Sequence, residues 1–167
     1  MTRSLPALPR EIEADPRHEQ IRTRFASPDR ALWARGNIAV PVLPLAPRVG
    51  AALAAAYAAG HLVLGLERIA TALAAEARGQ SLVSARAGSK PSARVSRLLL
   101  LSEGGAERLY RHVEGLIVTH TPRVLAAILM ADATTVGHAI MARDARVKAV
   151  LVQRTQVVAT LMRALVE

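Results

Sequence analysis

Four consecutive leucines, Leu98 to Leu101, stand between a basic segment and a Gly104-Gly105 pair. An apolar run this short, closed by a turn signal, reads as a central strand buried on both faces. Upstream, Arg78, Arg86, Lys90, Arg94 and Arg97 follow one another with no acidic residue among them. Downstream, Ala106 opens an amphipathic helical pattern. The expected core strand therefore sits beside positive charge, where a phosphate backbone could dock.

The rest of the chain alternates around that strand. Val49, Leu53, Ala56 and Tyr57 share one helical face, and Gly60 closes the helix. His61 to Leu64 reads as a short strand closed by Gly65. Leu66, Ile69, Ala70, Leu73 and Ala77 form a second helical stripe, which ends at Gly79. Gln80 to Ala93 is rich in Ser, Arg and Gly, contains Pro91, and reads as a basic loop or hairpin. After the central strand, Ala106 to His120 is helical, and Pro122 marks its exit. Arg123 to Ala131 is a further strand, and Asp132 caps a short helix carrying Val136, Ala139 and Ile140. Val147 to Val152 is the last strand, and Val157, Val158, Leu161 and Leu165 line the last helix. This order implies an α/β chain, a three-layer α/β/α sandwich around a small mixed or parallel sheet.

Residues 1–47 differ from the remainder. Seven of the nine prolines lie there, a density that forbids long helices and central strands. One short helix is expected from Pro16 to Phe25, with Asp15 as its cap. The remainder reads as an extended basic arm, so the domain itself is expected over residues 48–167. Phe25 and Trp33, the only Phe and the only Trp, are interleaved with Arg22, Arg24, Arg30 and Arg35. Large aromatics seldom stay free, so they either pack on their own domain, stack on bases or dock on a partner.

The chain of 167 residues carries a net charge of +9, from 22 basic and 13 acidic residues. That balance favours polyanions, either nucleic acid or an anionic membrane surface, although an Arg- and Ala-rich composition also follows from a GC-rich genome. The absence of cysteine excludes disulfides, thiolate metal sites and Cys nucleophiles. The first thirty residues lack the apolar core of a signal peptide. Val49 to Leu66 is apolar but dominated by Ala and Gly without an aromatic belt, so no membrane span is expected. A soluble cytoplasmic protein is the expectation.

Three places carry a resemblance. Ala54 to Gly65 is similar to a first helix followed by the strand motif A-G-K-L-V-x-G, and Gly65-Leu66-Glu67-Arg68-Ile69-Ala70-Thr71 stands where G-x-N-E-x-x-K would fall. Ile128 to Ala139 is similar to a strand, loop and L-G-x-A helix. All three are motifs of the kink-turn RNA-binding ribosomal protein superfamily, which the chain resembles over about residues 48–153. Its relatives include YlxQ-type proteins and the C-terminal domain of eukaryotic release factors. Glu67 and Arg68 replace the family's Asn-Glu pair, Thr71 replaces its Lys, and the Gln80 to Ala93 segment is longer than the family's connection. The resemblance implies the α/β/α fold and RNA binding without a particular RNA.

Several candidate sites follow. Gly65, Glu67 and Arg68 open a helix whose N–H groups could meet a phosphate, or else only form a turn with Glu67 offsetting the dipole. Thr134 and Thr135 could offer hydroxyls to extruded nucleotides, as the resemblance implies, or belong to a plain capped helix start with Gly137 allowing close packing. Arg86, Lys90, Arg94 and Arg97 form a basic segment suited to phosphates, or a solvated loop. Ser102 to Gly105 lacks G-x-G-x-x-G spacing, no Walker motif occurs, and Gly88-Ser89-Lys90 is cut off by Pro91. His18, His61, His112, His120 and His138 show no ligand spacing, and no catalytic constellation or cofactor motif is present.

The expected function is thus non-catalytic binding of structured RNA, ribosomal RNA or a ribonucleoprotein. No cofactor and no metal are expected. The alternatives are a protein–protein module or homo-oligomer that docks through Phe25 and Trp33 of the arm, and an accessory substrate-binding domain like that of RNA ribose methyltransferases.

Overall fold

The computed structural model describes residues 5–90 and 92–167. Its centre is a five-stranded mixed sheet. The strands are β3 (Val42–Leu43), β4 (Leu62–Leu64), β5 (Arg97–Glu103), β6 (Val124–Asp132) and β7 (Ala149–Val152), in the order β3-β6-β5-β7-β4. β3, β6 and β5 run parallel, β7 is antiparallel to β5, and β4 is antiparallel to β7. The leucine run is the middle strand. Leu98 and Leu100 face one hydrophobic cluster, Leu99 and Leu101 face the other, and all four are almost fully buried. Strict alternation along a strand with both faces covered explains why four leucines in succession are satisfied.

The helices divide between the two faces. α3 (Pro47–Ala58), α6 (Ala133–Met141) and α7 (Thr155–Val166) cover the first through Val49, Leu53, Val136, Ile140, Val158 and Leu161. α4 (Leu66–Ala87) and α5 (Glu107–Thr119) cover the second through Ile69, Leu73, Val113 and Ile117. The three-layer sandwich expected from the alternation is therefore observed. Among the described residues no helix is long and apolar enough to cross a membrane.

Residues 5–46 form no extended arm. They contain α1 (Arg10–Glu13), α2 (His18–Ala26) and a small hairpin of β1 (Arg30–Ala31) with β2 (Ala39–Val40), and they lead into β3 at one sheet edge. Leu8, Ile12, Ile21 and Phe25 enter the same cluster as α3 and α7, while Leu32, Ile38 and Val40 enter the opposite one. The prolines limit each element to a few residues, but these short pieces still place an apolar side chain inward at every turn. Low helix length does not preclude burial.

The segment expected to be a basic loop is also different. α4 continues through Gly79 to Ala87 and is capped by Gly88 at φ 64°. A helical interior tolerates one Gly, and Leu82, Ala85, Arg86 and Ala87 are good helix formers. At 1.5 Å per residue α4 is about 33 Å long, against roughly 10 to 13 Å for β4 and β7, the strands it packs on, so its last turns overhang the sheet. Leu82 and Val83 on this overhang are 61% and 67% exposed.

Candidate anion-binding surface

Strand direction decides which candidate residues meet. Gly65 N–H donates to the Ala149 carbonyl at 3.1 Å, Leu101 pairs with Ala149, and Glu103 pairs with Asp132. These contacts place Gly65, Glu67, Arg68, Thr134 and Thr135 at the carboxyl end of β4, β5 and β6. Arg97 stands at the opposite end of β5, where α4 finishes and delivers Arg86 and Lys90. The candidates therefore fall into two groups about 20 Å apart along β5.

At the carboxyl end, charges of both signs alternate. Gly65 adopts φ 93°, which favours glycine, and its N–H is already used in the sheet. Glu67 and Arg68 are exposed on the first turn of α4. Asp132 caps α6, its Oδ1 accepting from Thr135 N–H at 2.8 Å. That N–H, followed by the Thr135 hydroxyl, holds the Asp132 carboxyl below its ordinary value, so it is a fixed negative charge at the helix start. A carboxylate there competes with any phosphate. Thr134 and Thr135 are exposed. Gly137 has a packing role, because a Cβ there would collide with the Ala145 carbonyl.

The other end is dominated by arginine. Of the basic segment, Arg94 and Arg97 are committed within the fold. Arg94 Nη1 donates to the Leu8 carbonyl and forms an ion pair with Glu13 Oε2, each at 2.9 Å, which fastens the segment around Leu8 beside Val95. Arg97 Nε donates to Glu76 Oε2 at 3.0 Å. Arg86 and Lys90 are exposed and, among the described residues, form no ion pair. Arg10, on α1, joins them with an exposed and unpaired side chain.

Beneath these lies a group that reading the basic segment alone misses. Glu76 on α4 gathers Arg97, Arg123 and Gln153, with Arg123 Nη2 on Oε2 at 2.6 Å and Gln153 Nε2 on Oε1 at 3.2 Å. Arg123 precedes β6 and is buried, and His120 is buried beside it. Burial, then the Arg123 charge, hold the imidazole below its ordinary value, against a smaller opposing pull from Glu76. The signal in the sequence is Glu76 itself, the only acid between Glu67 and Glu103.

Phe25 and Trp33 do not face outward as docking groups. Phe25 is 3% exposed in the core shared with α7. Trp33 packs on α5, where its Nε1–H donates to Glu114 Oε2 at 2.9 Å and Arg111 lies 4.8 Å from the ring centre. Both aromatics hold residues 5–46 to the rest of the chain, so the arm-docking alternative loses its anchors.

No family model matches the chain, and no curated protein matches it. Among solved structures it is similar to a protein of unknown function from Bacillus halodurans, at 17% identity and a TM-score of 0.50. The likeness covers 72% of this chain and 98% of that one, and it is a likeness of fold alone.

Proposed function

We propose that the protein binds structured RNA without catalysis, as part of or alongside a ribosomal or other ribonucleoprotein particle in the cytoplasm. The observation that supports this most is that Arg10, Arg86 and Lys90, on the side of the molecule where α4 ends, are exposed and have no ion-pair partner among the described residues. Unpaired surface cations attract a polyanion and release its counterions on binding. The net charge of +9 and the resemblance to kink-turn-binding proteins lead to the same class of partner. The RNA backbone runs across the overhang of α4 and the start of β5. The charge-balanced end at Gly65 and Asp132 is a secondary contact for a large folded RNA.

The test is filter binding of a folded RNA by the intact protein across a salt series. Replacing Arg10, Arg86 and Lys90 together by Gln should reduce the log–log salt slope by about two, at about 0.7 to 0.9 per lost phosphate contact. Arg94 and Arg97 are unsuitable for this test because their ion pairs support the fold. An unchanged slope in the triple variant, or no RNA binding by the parent protein, would exclude the reading.

A further inference from the structure

We propose that the clefts between the second half of α4 and the entries of β5 and β6 form a phosphate-binding site with Arg123 at its floor. Two neighbouring clefts, of about 410 and 340 Å³, share Gln80, Ser92 and Arg123. Lys90 and Arg97 line the first, and Ser96 and Arg94 the second. The side chain of Arg123 is only 9% exposed. One of its nitrogens is held by Glu76, while Nε and Nη1 are buried with no hydrogen-bond partner. Ser96 Oγ is buried and unpartnered as well.

A guanidinium retained only for structure would have its donors satisfied, since an unmet buried donor opposes folding. Here one carboxylate oxygen, Glu76 Oε2, serves both Arg97 and Arg123, so the cluster keeps a surplus positive charge. Because Nε and Nη1 are closed off from water, that charge acts on the clefts through a poorly screening layer. Lys90, Ser92 and the outer edge of Arg97 are placed for direct contact. A phosphate group between them supplies the missing acceptors after a small turn of the guanidinium.

Phosphate fits better than carboxylate because the donors approach from several sides, and three unesterified oxygens can meet them together. A phosphorylated small molecule carries all three of these oxygens, and an RNA backbone offers two of them as a diester. The site stands whether or not the RNA reading does.

The experiment titrates inorganic phosphate into the intact protein at constant ionic strength, followed by amide chemical shifts. Saturable shifts confined to Lys90, Ser92, Ser96, Arg97 and Arg123 are expected, and Lys90→Gln should weaken binding about tenfold, the effect of losing one charged hydrogen bond. Arg143→Gln, at the other end of the sheet, should leave the affinity unchanged. No saturation by about 20 mM phosphate, or equal shifts from chloride, would overturn the site. Nucleoside 5′-monophosphate and an unphosphorylated RNA oligomer are then compared as competitors. Displacement by the first alone assigns the site to small phosphorylated molecules, and displacement by the second assigns it to RNA backbone. RNA binding by a protein that shows no saturable phosphate shifts at these residues would sink the site while sparing the RNA proposal.

Discussion

Glu76 Oε2 accepts from Arg123 Nη2 at 2.6 Å and from Arg97 Nε at 3.0 Å, which joins the middle of α4 to the entries of two adjacent parallel strands. Removing the shared carboxylate leaves two guanidiniums facing each other with little solvent. Glu76→Gln is expected to lower stability by about 3 kcal/mol, near the low end for breaking a buried pair because Glu76 keeps some exposure. Converting both sides to apolar residues, as Glu76→Leu with Arg123→Met, should recover most of that loss. Urea unfolding of the three proteins decides it, and a single variant as stable as the parent would refute the shared role.

The overhang of α4 allows a stabilising change. Gly79 lies inside the helix with a φ in the ordinary range, and a Cβ there meets nothing within 4 Å. Gly79→Ala should therefore raise stability by up to about 1 kcal/mol through helix propensity and a less flexible unfolded chain. A loss of stability on substitution would mean that this turn is not helical in solution.

Phe25→Ala addresses the packing of the first part of the chain. The ring is buried among residues of the larger cluster, so truncation should cost about 3 to 5 kcal/mol, the range for a core Phe. Cooperative unfolding with an unchanged midpoint would instead describe an unattached segment. On the RNA proposal, affinity measured below the melting temperature should be unaltered, because the ring is buried in the core and away from the solvent-facing cations.

Acid should destabilise the fold in two stages. Burial lowers the His120 value in the folded state, so its contribution is complete above the ordinary imidazole value of 6.5 and declines as pH falls below it. Asp15, Asp29 and Asp132 have lowered values in the fold, chiefly through the N–H groups of Arg17, Val42 and Thr135. Their contribution is complete above the ordinary carboxylate value of 3.8 and disappears as pH falls through the lowered ones. Melting temperature should thus rise from about pH 3 to about pH 8, and His120→Gln should remove the upper stage alone. A melting temperature that rises on acidification would contradict both assignments.

The sandwich was legible because each layer leaves its own periodicity. Alternation at Leu98 to Leu101 and helical stripes such as Ile69 and Leu73 are local patterns, and burial on two faces follows from them. Two features were not local. The turn-rich first segment offers no periodic run, so the burial of Leu8 and Ile12 depends on helix α7, far along the chain. The end of α4 was obscured by Gly79 and the serines, whose propensities are outweighed once α4 is anchored by Ile69 and Leu73. The candidate anion surface was half visible. Arg86 and Lys90 are in the basic segment, but Arg94 and Arg97 are neutralised by Glu13 and Glu76 from other elements. Arg123 reads only as the start of a strand until Glu76 is seen beside it.

The last helix bears on how the chain acquires its structure during synthesis. Arg163 of α7 donates to Asp15 Oδ2 at 2.7 Å, and Arg48 at the start of α3 donates to the Ala164 carbonyl at 2.8 Å. The early helices α1 to α3 thus lean on residues that follow every strand in the sequence. Long-range closure of this kind slows folding and leaves apolar surface waiting. Until α7 is made, the apolar side chains of α1 to α3 that pack on it lack that cover.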